Sequence, residues 1–259
     1  MNGRCTAVCR RYSVLVEHAL SRRVAAEFLG TAVLVATVVG SGIMGTILSN
    51  DFAVILILNA LATVAALGVL IWMLGPISGA HFNPVVTGVA VVRREMRPVE
   101  ALLYMVAQII GAICGALVAN FMFALPVFQT SGHQRTGYPI WVGEIIATAG
   151  LLLIIGALTR TGRGSLGPVL VPAWIGAAYF FTSSTSFANP AVTIGRSLTD
   201  TFSGIAPSSV PLFIAFQIVG ATAGALLTEY FYPRRGVTPE PLDLPTAVHQ
   251  PLPPREDQS

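Results

Sequence analysis

Six long apolar segments recur along the chain and restrict its fold more than any other feature. A bilayer core about 30 Å thick requires roughly 20 helical residues to cross it. Segments of that kind run at residues 24–47, 52–74, 98–122, 140–159, 167–185 and 210–231. Only 10% of the 259 residues are charged, against about 25% in soluble domains. The sequence therefore predicts an all-α membrane protein with six transmembrane helices and no separate soluble catalytic domain.

Two shorter apolar segments, residues 84–92 and 190–200, each follow an Asn-Pro pair. They are too short to cross a bilayer, yet full spans flank them on both sides. Non-helical backbone at membrane depth is tolerated only where it is buried in protein or lines a cavity. We therefore expect two re-entrant half-helices.

The chain contains an internal repeat, residues 24–122 and 140–231, within one channel domain at residues 24–231. Each half holds three spans and one half-helix, and because three is odd the second half must enter the membrane inverted. The matched residues are Glu27 with Glu144, Asn83-Pro84 with Asn189-Pro190, and Gln108 with Gln217. Small residues at four-residue spacing, which let helices approach closely, are Gly111 with Gly115 and Gly220 with Gly224.

The distribution of basic residues predicts the topology. All fifteen are arginines, and basic residues favour the cytoplasmic side. With the N-terminus inside, only Arg135 and Arg196 fall elsewhere. We expect an inner-membrane protein with two cytoplasmic tails, residues 1–23 and a disordered, proline-rich 232–259. Cys5 and Cys9 lie in the first tail, which is either inert or contacts a metalloid through its thiols.

The Asn-Pro pairs suit helices that begin inside the membrane. Proline fits the first helical turn because its missing N–H would have had no partner there, and the preceding asparagine caps the helix through its side-chain oxygen. We expect Asn83 and Asn189 to meet at the bilayer centre with their amide NH₂ groups free for a passing oxygen atom. The positive ends of the helix dipoles there repel cations.

The stretches Ser78-Gly79-Ala80-His81-Phe82-Asn83-Pro84-Val85-Val86-Thr87 and Phe187-Ala188-Asn189-Pro190-Ala191-Val192-Thr193 resemble the paired signature loops of the aquaporin, or major intrinsic protein, family. The resemblance implies six tilted helices, two half-helices and a homotetramer with a pore in each subunit. The second loop has the family's alanine, Ala191. The first loop has Val85 at the position where the family has alanine. We expect from this a small steric change only.

The same resemblance assigns the residues that select the permeant. Most of the family has an arginine directly after the second Asn-Pro-Ala, where this chain has Val192, and the other constriction positions fall at Thr63, Ala177 and Ser186. None of the four is aromatic or charged. Arg196 lies about two helical turns beyond Asn189, so we do not expect it to substitute for the missing arginine. The sequence predicts a wide mouth without a fixed cation.

The buried polar residues have a structural and a functional interpretation. Glu27 and Glu144 are either acceptors for the backbone of the re-entrant loops or members of a proton relay. Gln108 and Gln217 are expected to have a structural role of the first kind, in which their hydrogen bonds hold helices in place. His81 has no partner at metal-ligand spacing and, by the resemblance, lines the inner vestibule. No metal and no cofactor is expected.

The stretch Asn189 to Ile205 resembles bacterial aquaporins associated with arsenic-resistance operons, which implies passive conduction of arsenite, methylated arsenite or similar metalloid hydroxides. A glycerol or polyol facilitator and a water channel are the alternatives, and a secondary transporter with inverted repeats is a further one. The sequence contains no metalloprotease, nucleophile-elbow or phosphate-loop motif, which argues against an enzyme. The expected partners are a small neutral solute and lipid, and no nucleic acid.

Overall fold

The computed structural model describes residues 19–234, which form eight α-helices and, in that range, no strand. The predicted tails beyond them, with Cys5 and Cys9, lie outside the described residues. The helices are α1 Leu20–Leu48, α2 Phe52–Ser78, α3 Pro84–Val92, α4 Pro98–Met122, α5 Tyr138–Arg160, α6 Gly167–Phe181, α7 Pro190–Arg196 and α8 Val210–Phe231. Short 3-10 turns, Gly164–Leu166 and Pro207–Ser209, lead into α6 and α8.

Six segments are long and apolar enough to cross a membrane: α1, α2, α4, α5, α6 with the 3-10 turn before it, and α8 with the 3-10 turn before it. The helices α3 and α7 have only nine and seven residues. The predicted fold class, six transmembrane helices with two half-helices, is confirmed. Two boundaries were placed too late. Helix α6 ends at Phe181 because Thr182 is already extended, and α7 ends at Arg196, four residues before the predicted end.

The two halves pack in the same pattern. In the first half α1 packs on α4 and α2, and in the second α5 packs on α8 and α6. Contacts of α2 with α6, α4 with α7 and α3 with α8 join the halves, and the half-helices α3 and α7 meet each other. The chain therefore buries both half-helices between its two repeats.

Four glycines bring the paired helices into close contact. An added Cβ at any of them would lie within 2.5 Å of a backbone oxygen on the facing helix. The oxygens belong to Phe28 for Gly111, Ala32 for Gly115, Ile145 for Gly220 and Ala149 for Gly224. The small residues read from the sequence thus lie at the α1–α4 and α5–α8 contacts, where no side chain fits.

The arginines lie at the two ends of the helix bundle. Eight of the ten in the described residues are at the end that holds the start of α1 and the end of α8. Ion pairs link helices there, from Arg23 to Glu100 and from Arg160 and Arg93 to Glu229. A further pair, Arg97 with Glu100, lies at the start of α4. The two remaining arginines, Arg135 and Arg196, lie at the opposite end.

We expect Gly115→Ala to destabilise the protein by about 1–3 kcal/mol, because the new methyl group would meet Ala32 O at 2.2 Å. Thermal unfolding of the purified protein in detergent measures the effect. Gly75→Ala is the matched control, since an added Cβ there has no heavy atom within 4 Å. Equal melting temperatures for the two variants would contradict the close α1–α4 contact.

Candidate functional site

The half-helices α3 and α7 begin next to each other at the centre of the bundle. Asn83 caps α3, its Oδ1 accepting from Val85 N at 3.1 Å. Asn189 caps α7 in the same way, its Oδ1 accepting from Ala191 N at 3.0 Å and from Val192 N at 3.3 Å. Pro84 and Pro190 are the first helical residues. The local geometry is the one that proline at the first turn and asparagine before it favour.

The two asparagines also join the opposing loops. Asn83 Nδ2 donates to Ala188 O at 2.8 Å, and Asn189 Nδ2 donates to Phe82 O at 2.7 Å. The expectation that both amide NH₂ groups are free is therefore wrong in part. One N–H of each is used by the other repeat, and one N–H of each remains.

The loops that lead into the half-helices have unusual backbone conformations. Four non-glycine residues have positive φ at matched positions, three residues and one residue before each asparagine. They are Ala80 at 50°, Phe82 at 47°, Ser186 at 53° and Ala188 at 48°. Each such conformation costs on the order of 1–3 kcal/mol and persists only where the surrounding structure holds it.

Glu27 holds the first loop. Its carboxylate is fully buried and accepts four hydrogen bonds, from Ser78 Oγ at 2.6 Å, His81 N at 3.0 Å, Phe82 N at 2.7 Å and Gln108 Nε2 at 2.8 Å. The amide of Gln108 also donates to Thr87 Oγ1 at 3.0 Å. The carboxylate therefore satisfies loop N–H groups that no helix or strand serves.

Glu144 holds the second loop in the same manner. It is equally buried and accepts from Phe187 N and Ala188 N, both at 2.9 Å, and from Gln217 Nε2 at 2.6 Å. Gln217 also donates to Thr193 Oγ1 at 2.9 Å. Neither carboxylate lines the central cavity, so these contacts favour the structural interpretation of both glutamates over a proton relay.

One elongated cavity of about 620 Å³ runs past the two asparagines. Both halves of the chain line it, and both Asn83 and Asn189 reach it. His81 lines it as well, with Nδ1 3.1 Å from Thr87 Oγ1. Val85 is buried in the core beside the cavity and does not line it. Within residues 19–234, no cluster of three His, Cys, Asp or Glu side chains is arranged to hold a metal.

Three of the four expected constriction residues line this cavity. Thr63, Ser186 and Val192 are buried there, and Ser186 Oγ makes no hydrogen bond with any described residue.

Ala177 was assigned to the constriction wrongly. It is exposed on the outer face of α6 and does not line the cavity. The cavity face of α6 carries Val171, Ile175 and Tyr179 instead, which the four-residue spacing places on one side of the helix. Tyr179 donates its hydroxyl to Thr63 Oγ1 at 3.3 Å. An aromatic side chain therefore does lie in this part of the cavity.

Arg196 also differs from the expectation. It is only 3% exposed and lines the cavity together with Val192. The two residues are four apart, so they share one face of α7 and lie one turn from each other. The prediction of a mouth without a fixed cation is wrong. Counting residues from Asn189 showed how far Arg196 lies along α7, but not that its side chain is on the face of α7 that lines the cavity. The four-residue spacing between Val192 and Arg196 could have shown that both side chains lie on the same face of α7.

Known proteins resemble this chain over most of its length. The family described as "Major intrinsic protein" matches residues 14–188. Aquaglyceroporin AqpS of Rhizobium meliloti is 46% identical over 214 residues, which is 83% of this chain and 91% of that protein. An aquaporin of Laccaria bicolor is 30% identical over 249 residues, which is 83% of this chain and 92% of that protein.

A solved structure has the same fold. The aquaglyceroporin from Plasmodium falciparum superposes with a TM-score of 0.60 over 83% of this chain and 96% of its own. The two sequences are 20% identical, so this likeness concerns the fold alone.

We expect Glu144→Gln to lower the stability of the protein by about 1–3 kcal/mol, because an amide NH₂ replaces one oxygen and leaves a loop N–H without an acceptor. Thermal unfolding in detergent measures this loss. The control is Glu95→Gln, which changes an exposed carboxylate that has no ion pair or side-chain hydrogen bond among the described residues, so its loss should stay within about 0.5 kcal/mol. A Glu144→Gln protein as stable as the control would revive the relay interpretation.

Proposed function

Because the chain belongs to the major intrinsic protein family, whose members are passive membrane channels for small neutral solutes and not enzymes, we propose that it conducts arsenite, methylated arsenite or similar metalloid hydroxides. Glycerol and other small polyols are the second candidate. Water accompanies either solute. Flux follows the solute gradient only, without coupling to an ion.

The observation that carries this proposal is the pairing of Val192 with hydroxyl-bearing neighbours. Val192 stands where the resemblance places an arginine, and it lines the cavity with Thr63, Ser186 and Tyr179. Ser186 Oγ is buried without a partner among the described residues, and an unpaired buried hydroxyl is costly until a solute oxygen or water meets it. A neutral metalloid hydroxide presents the same kind of hydroxyl groups as a small polyol.

One relative supports a channel for solutes larger than water. The relative at 46% identity, AqpS, is named an aquaglyceroporin, and this chain covers 91% of it. That name favours glycerol-sized solutes for this chain. The preference for arsenite over glycerol comes from the resemblance of residues 189–205 to the arsenic-associated group.

The family and the arginine positions support an assembly and an orientation. We place the channel as a homotetramer in the inner membrane, with a pore in each subunit and both termini in the cytoplasm. The end that carries eight of the ten described arginines then faces the cytoplasm, as basic residues prefer. The exposed apolar faces of the six long helices then contact lipid and neighbouring subunits.

Permeability of proteoliposomes tests the proposed function. We expect arsenite and glycerol to equilibrate faster than in empty vesicles of the same lipid, measured by stopped-flow light scattering in solute gradients. Flux should be the same with and without a proton or sodium gradient. Rates equal to those of empty vesicles for both solutes would contradict the proposal, and rates that follow an ion gradient would indicate a transporter.

We expect Val192→Arg to reduce arsenite and glycerol flux about tenfold, equivalent to about 1.4 kcal/mol of barrier, and to reduce water flux less. The substitution adds bulk and a charge to a buried position on the cavity wall. Val192→Met adds bulk without charge and serves as the control. If Val192→Arg left all three fluxes unchanged, Val192 would not belong to the constriction.

A further inference from the structure

The end of the cavity farthest from the arginine-rich face holds a buried guanidinium. Arg196 is the last residue of α7, is 3% exposed, and lines the cavity with Val192 and Ser186. Its place, one helical turn beyond Val192, means that a solute leaving the half-helix junction passes Val192 first and Arg196 next.

A second arginine and an aromatic ring hold this guanidinium in place. Arg196 Cζ lies 3.5 Å from the ring centroid of Phe187, and Arg135 Cζ lies 5.3 Å from the same centroid. Arg196 Nε donates to Ser203 O. Arg135 donates through Nε to Gly204 O at 2.8 Å and through Nη2 to Phe202 O at 3.2 Å. Three consecutive carbonyls, residues 202–204, thus accept from the two arginines.

The charge of Arg196 is not neutralised by the part of the chain that the structure describes. No carboxylate of residues 19–234 forms an ion pair with Arg196 or Arg135. The terminal nitrogens of Arg196 have no hydrogen-bond acceptor within that range either. A fixed positive charge in a buried, low-dielectric site repels cations far more strongly than it would in water. Its remaining N–H groups are available to oxygen atoms in the cavity.

We propose that Arg196, held by Phe187 and Arg135, is a displaced selectivity element that excludes inorganic cations and donates hydrogen bonds to the oxygens of neutral permeants. It separates two functions along α7: Val192 leaves room for a solute larger than water, and Arg196 one turn away supplies the positive charge. Phe187 and Arg135 are positioning residues. This inference rests on the proposed function, since it assigns a role within the same pore.

The charge at position 196 can be varied while the solute path stays open. We expect Arg196→Gln proteoliposomes to leak sodium and protons at least about tenfold faster than wild type, while their glycerol flux stays above that of empty vesicles. Arg196→Lys keeps the charge and loses the planar fork, so its cation leak should stay near wild type. Cation leak is read with a sodium-selective dye and a trapped pH dye, and glycerol flux is measured on the same vesicles.

A purely structural role would give a different pattern. If Arg196 only fixed residues 202–204, then Gln and Lys would lower melting temperature and glycerol flux alike, and neither would leak cations. That outcome would overturn the inference. Arg163→Gln, in the exposed turn before α6, is the control and should match wild type in every measurement.

Arg135→Gln tests the positioning role. It removes two hydrogen bonds to residues 202 and 204 but leaves Arg196 itself, so we expect a cation leak between those of wild type and Arg196→Gln. A leak equal to wild type would show that Arg196 needs no support from Arg135. Absence of glycerol and arsenite flux in wild type would defeat the proposed function; normal wild-type flux with a cation-tight Arg196→Gln would defeat this inference alone.

Discussion

Two buried carboxylates allow non-helical backbone to lie at the centre of this membrane bundle. Without Glu27 and Glu144, the N–H groups of residues 81, 82, 187 and 188 would have no acceptor in a region that water does not freely supply. Each carboxylate accepts from two of these groups and from one glutamine. The left-handed residues before each asparagine depend on this support, and the direction of each half-helix depends on those residues.

The carboxylates also explain why the two repeats remain similar in their interior. Each half needs an acceptor on its first long helix, a glutamine on its third and an asparagine that opens the half-helix. These residues form one hydrogen-bonded unit per repeat, and the loss of a member leaves buried donors unpaired. Val192, Tyr179 and Arg196 line the cavity, and their side chains do not belong to these hydrogen-bonded units. They are therefore free to differ from the pattern that the resemblance implies.

The sequence predicted the parts of the fold that depend on composition and repetition. Six apolar segments of spanning length, two short ones after Asn-Pro, and the matched Glu and Gln positions were enough to indicate the architecture. The glycine spacing likewise placed Gly115 and Gly224 at helix contacts, because a missing side chain matters wherever backbones approach closely. Each of these features involves residues that are close together in the sequence, or recurs in the same order in both halves of the chain.

The residues of the constriction depend on rotation about a helix axis, which counting along the chain does not give. Ala177 and Tyr179 differ by two positions, and two positions turn an α-helix by about 200°, so a small offset in the count exchanges a cavity face for a lipid face. Arg196 was misjudged for the complementary reason, since its distance along α7 was considered without its face. The hydrogen bonds from Asn83 and Asn189 to the opposite loops were missed because nothing in either half alone reveals them.

These reciprocal bonds bear on how the protein is made. The acceptors of Asn83 and Asn189 lie 105 and 107 residues away in the chain, so the first loop emerges from the ribosome long before its partner exists. During synthesis the first repeat holds one asparagine amide without its final acceptor, and the junction closes only when the second loop arrives. A half-inserted chain thus lacks the finished conduit. The passage across the membrane is therefore a property of the two repeats together, because neither repeat alone supplies both the donors and the acceptors that join the half-helices.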